Sequence, residues 1–482
     1  MIRKPLVDTG EGITAMDAVD LSRAIREKQV SCREVMEAFL DRIDRLNSEV
    51  NAIVSLQDRE ELLDQADERD RQLARREYLG WMHGFPQAPK DLALTAGIPT
   101  TLGSPILKDN IPLQDAFIVE RARRSGAIVI GKTNTSEFGL GSQTYNEVFG
   151  TTLNAFDRTK TAGGSSGGAA VALALHMLPV ADGSDMMGSL RNPAAYNDVF
   201  GFRPSFGRVP YGPTLDVFYQ QLATEGPMAR NVSDLAMLLS VQAGFDSRAP
   251  LSIRENPDVF TRSLERDFKG VRVAWMGDVG GYLAMEPGVL DLCGGAIKTF
   301  EAIGCIVEEA LPAFSPERLW ETWLTLRGFL LAGIAGPFYR VPEWRALMKP
   351  EAVWEVENGL EIRGDAVYRA TVDRSAWYLA LDALFRKYEC LLLPSAQVFP
   401  FNAGVHWPKE IAGRTMDTYH RWMEVVIGPS LAGLPTISVP VGFNDTGLPM
   451  GLQVIGKPGA DLTVLQLAYA YEQAMDRVRP KR

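Results

Sequence analysis

Residues 163–168 read GGSSGG and run straight into the apolar stretch AAVALALHMLPVA. Glycine loses more backbone freedom on ordering than any other residue. Six small residues in a row are therefore costly to fix, and they constrain any fold that fixes them. Three readings meet these residues. A flexible Gly/Ser linker is one, although linkers join polar, low-complexity flanks and this block enters an apolar helix-like segment. A phosphate cradle is the second, but that pattern needs a lysine after the glycines and none follows. The third is the nucleophile elbow G-x-S-x-G, matched literally by GSSGG at 164–168 with Ser166 as nucleophile. An elbow needs an apolar strand just before it, and NAFDRTKTA is not one.

The rest of the chain bounds the fold. Its 482 residues, 46% of them hydrophobic, can bury a large core, and α/β enzymes of this length often form one unit. SCREVMEAFLDRIDRLN starts with Ser31 and carries Glu34 three residues on, a capping-box signature. Its Val35, Phe39, Ile43 and Leu46 recur at helical spacing. With the charged DREELLDQADERDRQLARRE, this predicts a helical N-terminal part over residues 1–80. From Gly84 onward short apolar runs alternate with helices. Strands are predicted at Ala127–Lys132, Val271–Met276, Cys305–Ala310, Cys390–Ser395, Thr436–Val441 and Gly451–Gly456, with helices such as QDAFIVERARRSG and DLAMLLSVQAG between them. That alternation argues an α/β fold with a parallel or mixed sheet. Residues 315–430 are helical in pattern and rich in tryptophan (Trp320, Trp323, Trp344, Trp354, Trp377, Trp407 and Trp422). They read as a cover over a substrate pocket.

Several function classes are excluded. Fifty basic against 60 acidic residues leave a net charge of −10 with no basic face, so neither nucleic acid nor an acidic membrane surface is an expected partner. No run of about 18 apolar residues suggests a membrane span. Cys32, Cys293, Cys305 and Cys390 are scattered without a C-x-x-C pair and read as reduced thiols. The N-terminal MIRKPLVDTGEGITAMD lacks the apolar centre of a signal peptide. A cytoplasmic protein is the expectation. The four histidines, His83, His176, His406 and His420, share no metal-ligand spacing, and none carries a motif for a Ser-His-Asp hydrolase.

Downstream of the opening block, GSDMMGS at 183–189 closes a second small-residue loop on Ser189, and upstream GFPQAPKDLAL places Lys90 beside Asp91. With GIPTTLGS, SGAIVIGKTNTSEFGLGS, TAGGSSGGAAVALA, GFRPSFGRVP, EGPMARNVSDLAMLL and LAGLPTISVPVGFNDTGLPMGLQVIG in order, the sequence resembles the amidase signature family. The blocks cover residues 84–244 and the segment from Leu431. The resemblance implies a single α/β domain over residues 1–482, with a central mixed, twisted sheet flanked by helices. It implies a Ser–cis-Ser–Lys triad of Ser189 as nucleophile, Ser165 as bridging serine after a cis Gly164–Ser165 bond, and Lys90 as general base. It places an oxyanion hole on the backbone N–H groups of Met186, Met187, Gly188 and Ser189. Ser166 is expected to support Ser165 or Ser189, and Asp185 with Arg191 to brace the nucleophile loop, since a buried pair leaves neither charge uncompensated. No metal or organic cofactor is expected.

The chemistry can be argued from the residues themselves. A free lysine has a pKa of ~10.4, and burial can lower it by as much as ~3–5 units, so a buried Lys90 can serve as a base near neutrality. Ser165 would relay the proton of Ser189 to Lys90 and later return it to the departing amine, which suits amide cleavage. Two departures from the family pattern stand out. Met186-Met187 occupies a loop where the family usually has Thr-Gly or similar, and Gln87 and Pro89 stand where aliphatic residues are common. If position 187 required a positive φ, methionine would be strained there. Ordinary dihedrals would instead place two thioethers beside the acyl site. The resemblance points to hydrolysis of an apolar or aromatic small-molecule amide, with carbamates open, and a homodimer is compatible with it. The alternative is the A subunit of a glutamyl-tRNA amidotransferase, which would depend on partner subunits.

Overall fold

The structure, a computed structural model, describes residues 10–478. The first nine residues of the stretch read for a signal peptide lie outside it. Ser31 caps the second helix as its sequence predicts. Its hydroxyl accepts from Glu34 N, and the Glu34 carboxylate accepts from Ser31 N at 2.7 Å. The N-terminal part holds α1 (Ala18–Arg26), α2 (Cys32–Val50) and α3 (Arg59–Ala74). The predicted stripe Val35, Phe39, Ile43 and Leu46 is buried.

Four two-residue strands come next: β1 (Ile53–Val54), β2 (Pro86–Gln87), β3 (Ile128–Val129) and β4 (Lys132–Thr133). β1 pairs with β4 and β2 with β3, each pair apart from the main sheet. The strand expected at Ala127–Lys132 is thus two pieces facing different partners. The chain turns at Gly131, where an added Cβ would lie 2.9 Å from Val54 O.

The main sheet is built from β5 (Ala181–Asp185), β6 (Phe200–Arg203), β7 (Thr224–Ala229), β8 (Arg272–Trp275), β9 (Ile306–Glu309) and β10 (Cys390–Pro394). After a small hairpin, β11 (Glu410–Ile411) and β12 (Arg414–Thr415), it is completed by β13 (Thr436–Phe443) and β14 (Pro449–Gly456). The order is β5-β7-β6-β13-β14-β10-β8-β9. Only β10–β8 and β8–β9 are parallel, so the sheet is mixed and mostly antiparallel. The other five predicted strands fall on β8, β9, β10, β13 and β14. The sequence reading missed β5, β6 and β7, because ADGSD, FGFR and TEGPMA hold few β-branched residues. Their state is set by what they pair with and what covers them.

The remaining helices are α4 (Phe117–Arg124), α5 (Gly167–Ala174), α6 (Arg191–Tyr196), α7 (Val232–Gln242), α8 (Val289–Ala302), α9 (Pro316–Tyr339), α10 (Pro342–Arg345), α11 (Pro350–Leu360), α12 (Gly364–Phe385), α13 (Ile427–Ala432) and α14 (Asp461–Val478). α6, α8 and α14 pack on β13 and β14, and α7 packs on β7. α9 lies against both α11 and α12, and its Arg327, Leu331 and Ile334 line the cavity that holds the predicted serines. The tryptophans of residues 315–430 do a different job from the one predicted. Trp320, Trp323, Trp377 and Trp422 are buried in the core, and no tryptophan lines the cavity that holds the predicted serines. A ring with ~200 Å² to bury is most stable between packed elements. No helix among the described residues is long and apolar enough to cross a membrane.

Candidate active site

Three separate pieces of chain bring the predicted residues together. Lys90 forms an isolated parallel bridge with Thr133. Its backbone N–H donates to Asp182 Oδ2 at 3.1 Å, which ties it to β5. The GGSSGG block forms the entry to α5, and its Gly164–Ser165 peptide is cis. The block is glycine-rich because there is no room for side chains. A Cβ on Gly168 would lie 2.4 Å from Asn134 N and 2.5 Å from Ala52 O. The third piece is the loop from β5 to α6, which carries Ser189.

The buried Lys90 Nζ donates to Ser165 Oγ at 2.7 Å and to Ser166 Oγ at 2.8 Å. A third hydroxyl, Ser184 Oγ, lies 3.1 Å away. Among the described residues no carboxylate bonds the ammonium directly. Burial is the largest influence and lowers the Lys90 pKa to about 7, against the opposing pull of Asp185, Asp182 and Glu225. The Ser166 side chain therefore contacts the lysine. The Ser166 backbone N–H meanwhile donates to Ser189 O at 3.2 Å. Ser165, Ser184 and Ser189 line one cavity of about 180 Å³, whose other walls include Leu92, Phe138, Leu140, Leu331 and Ile334.

The loop before Ser189 is held from behind. Asp185 accepts from Arg191 Nε at 2.9 Å and Nη2 at 2.8 Å, with both side chains fully buried. Burial raises the Asp185 pKa, but the charges and hydrogen bonds of Arg191, with Arg203, outweigh this and hold it well below the usual range. Arg191 also donates to Gln453 Oε1 at 2.6 Å and Ser430 Oγ at 2.8 Å. Arg203 Nη1 donates to Asp185 O at 2.6 Å.

Of the four N–H groups expected to face an oxyanion, Gly188 N–H is already engaged by Asp185 Oδ1 at 2.8 Å. Those of Met186, Met187 and Ser189 make no hydrogen bond among the described residues. The positive φ of the loop falls on Gly188, at 80°. Met187 keeps an ordinary backbone, and both thioether side chains line the cavity.

Sequence reasoning missed four groups at this site. Ser184 and Glu225 face each other across β5 and β7, and both line the cavity. The period-two alternation of Asp182 and Ser184 toward Lys90 could have flagged the first, had β5 been recognised. Arg203 lies in the GFRPSFGRVP block, to which the resemblance gives no role. Arg327 on α9 reaches the cavity from the cover. It is paired with Glu355 at 2.7 Å and donates to Tyr419 Oη at 2.8 Å, and no local motif announces it. His420 is buried between Trp320, Trp354 and Tyr419, and burial keeps its pKa well below the usual value. None of the four histidines lines the cavity.

The family profile described as Amidase matches residues 34–465. The chain is 32% identical to an acylamidase of Rhodococcus erythropolis over 471 residues, covering 96% of each chain. It is also 32% identical to the A subunit of glutamyl-tRNA(Gln) amidotransferase from Alkaliphilus metalliredigens over 486 residues, covering 96% of this chain and 97% of the relative. The solved structure of a bacterial aryl acylamidase of the amidase signature family superposes with a TM-score of 0.89 at 29% identity, covering 95% of this chain and 96% of that one. The profile spans most of the chain, and the fold and the relatives agree with it: this chain is an amide-hydrolysing enzyme that belongs to the amidase signature family.

Proposed function

We propose that the protein is a stand-alone amidase for small apolar or aromatic amides and related carbamates, working through an acyl-enzyme on Ser189. The observation that carries this reading is the contact of a buried, neutral-leaning Lys90 with Ser165 Oγ at 2.7 Å. Unprotonated Lys90 takes the proton that Ser165 receives from Ser189, and Ser189 Oγ attacks the carbonyl carbon. The oxyanion takes hydrogen bonds from N–H groups of the Met186–Ser189 loop, each of which can contribute ~3–4 kcal/mol in the transition state. Lys90, now an ammonium, returns the proton through Ser165 to the leaving nitrogen, and the amine departs. Water then attacks the acyl-enzyme along the same route. Amide and carbamate carbonyls both fit this sequence.

Substrate size follows from the cavity. Its ~180 Å³ resembles the ~150 Å³ apolar space that accepts a benzene ring. Thioethers and aliphatic side chains form adaptable apolar walls. Arg327, the buried cation at the cavity, is neutralised by Glu355, so a substrate carboxylate has no free charge to bind there. This favours acylamidase chemistry over glutamine hydrolysis. A panel of acetamide, anilides, nitrophenyl amides, aryl carbamates and glutamine, assayed with the isolated chain, tests the reading. Aryl substrates should exceed acetamide and glutamine in kcat/KM by at least ~10-fold. Best activity on glutamine, or activity only with co-purified partner subunits, would replace it with the amidotransferase reading.

A further inference from the structure

One buried carboxyl at the cavity has an oxygen that neither the predicted triad residues nor the packing hydrogen-bonds. Glu225 on β7 is 6% exposed, and its Oε2 has no hydrogen-bond partner among the described residues. It lines the same cavity as Ser165 and Ser189. A buried carboxyl oxygen without a partner costs stability, and an apolar residue there would pack without that cost. The other acids close to the site are engaged. Asp185 is held by Arg191, and Asp182 accepts from Gln87 Nε2 and Lys90 N.

The position of Glu225 says which part of a substrate it meets. Directly opposed residues of an antiparallel pair project from the same face, and Glu225 is opposite Ser184. Ser184 Oγ touches the Lys90 ammonium. In the mechanism proposed above, the leaving nitrogen takes its proton from Lys90 through Ser165. The wall shared by Lys90, Ser184 and Glu225 therefore receives the leaving amine, while the Met186–Ser189 loop receives the carbonyl oxygen.

We infer that Glu225 is a specificity-determining residue that accepts a hydrogen bond from a second donor, an O–H or N–H, carried by the leaving amine. The preferred substrates are then amides or carbamates of aryl amines bearing a hydroxyl or amino substituent, such as acylated aminophenols. Burial, reinforced by the charge of Asp182, raises the Glu225 pKa to about 8. A carboxyl largely neutral at pH 7 keeps its carbonyl oxygen as an acceptor and needs no cationic substrate.

This inference rests on the triad reading, and the test separates the two. The substrates are 2-, 3- and 4-hydroxyacetanilide, each paired with the methylacetanilide of the same ring position. Methyl and hydroxyl are nearly isosteric, so an apolar wall favours methyl. With Glu225 as acceptor, the wild type should favour hydroxyl by at least about tenfold in kcat/KM at one or more ring positions. Glu225→Gln, which keeps an acceptor oxygen, should retain the preference, and Glu225→Leu should reverse it. Equal or better turnover of the methyl partner at all three positions by the wild type overturns the inference, whatever the variants do. A hydroxyl preference that survives Glu225→Leu also overturns it. Labelling of Ser189 by a fluorophosphonate shows that each protein is folded and competent. Should the wild type leave Ser189 unlabelled and hydrolyse neither series, the triad reading fails, and this inference with it.

Discussion

Arg191 closes on both carboxylate oxygens of Asp185, at 2.8 and 2.9 Å, with neither side chain exposed to solvent. Asp185 ends β5 and Arg191 begins α6, so one ion pair fixes the two ends of the loop that carries Ser189. The same carboxylate takes the N–H groups of Gly188 and Leu190. The backbone around Ser189 is thus set by charge-assisted bonds made behind the loop.

Breaking that pair should be costly. Arg191→Met leaves the Asp185 carboxylate buried and uncompensated, and should destabilise the protein by about 3–5 kcal/mol in denaturant unfolding. Removing the exposed pair Arg386–Asp382 should cost under ~1 kcal/mol. Equal costs for the two would show that burial does not govern the Asp185 pair. The native pKa of Asp185 is depressed, so its contribution is fully present above the ordinary aspartate range. It is lost only as pH falls through the depressed value, and Arg191→Met should flatten the acid limb of stability against pH.

Lys90 has the opposite linkage. Its native pKa is lowered from 10.5 to about 7, so between these values the unfolded chain binds a proton that the native state does not. By linkage, stability should rise with pH across that window and be lowest below about pH 7. Lys90→Met should abolish hydrolysis, stabilise the fold at pH 6 by about 1–4 kcal/mol, and reduce the slope between pH 7 and 10, the remainder coming from Lys132 and Lys349, whose native pKa values burial lowers to about 8. In the wild type, kcat/KM should rise through an apparent pKa near 7 as Lys90 loses its proton. A thermal-melt series whose slope is unchanged in Lys90→Met would assign the titration to those other groups.

Lys90 and the serines at 165, 166 and 189 should separate by role. Ser189→Ala should eliminate acyl-enzyme formation, read by fluorophosphonate labelling and peptide mapping. Ser165→Ala and Lys90→Ala should lose activity to a similar extent, within about tenfold of each other, because groups acting as a unit are non-additive. Ser166→Ala should be milder, about 5–30-fold in kcat, since it removes one hydrogen bond to Nζ worth ~1–2 kcal/mol. A fluorophosphonate adduct on Ser166 or Ser165 in place of Ser189 would end the triad assignment.

Gly188 tests the loop geometry. It has φ 80°, and an added Cβ would lie 3.0 Å from Val426 Cγ2. Gly188→Ala should cost about 1–3 kcal/mol through the left-handed backbone and shift the N–H groups on either side. A loss in kcat of more than tenfold, with little change in KM, is the expected signature. Met187 is 3% exposed and packs in the core, so Met187→Gly should cost about 2–5 kcal/mol in denaturant unfolding while it alters substrate preference.

Much of the candidate site was legible before any fold was known. Lys90, Ser165 and Ser189 sit in blocks whose order and spacing are specific, and the capping box at Ser31–Glu34 is local chemistry that the structure reproduces. Less legible were elements whose state is decided by neighbours. ADGSD at β5 has no strand signal of its own, although it leads into the nucleophile loop. The tryptophans of residues 315–430 looked like pocket walls because hydrophobicity does not distinguish a core from a cavity.

Residue type and local spacing marked Lys90, Ser165 and Ser189 as the candidate chemical groups and the glycines of 163–168 as a costly stretch to order. Those are local properties: small residues in a row, paired hydroxyls, one lysine beside apolar residues. Only the tertiary structure decided that Lys90 meets three hydroxyls and no carboxylate, that Gly188 N–H is spent on Asp185, and that Glu225 and Arg327 reach the cavity. Contacts of this kind join residues 94 and 141 positions apart, Lys90 with Ser184 and Met186 with Arg327. Desolvation and hydrogen bonding at such separations depend on which surfaces the sheet and its cover bring together, and no local pattern encodes that.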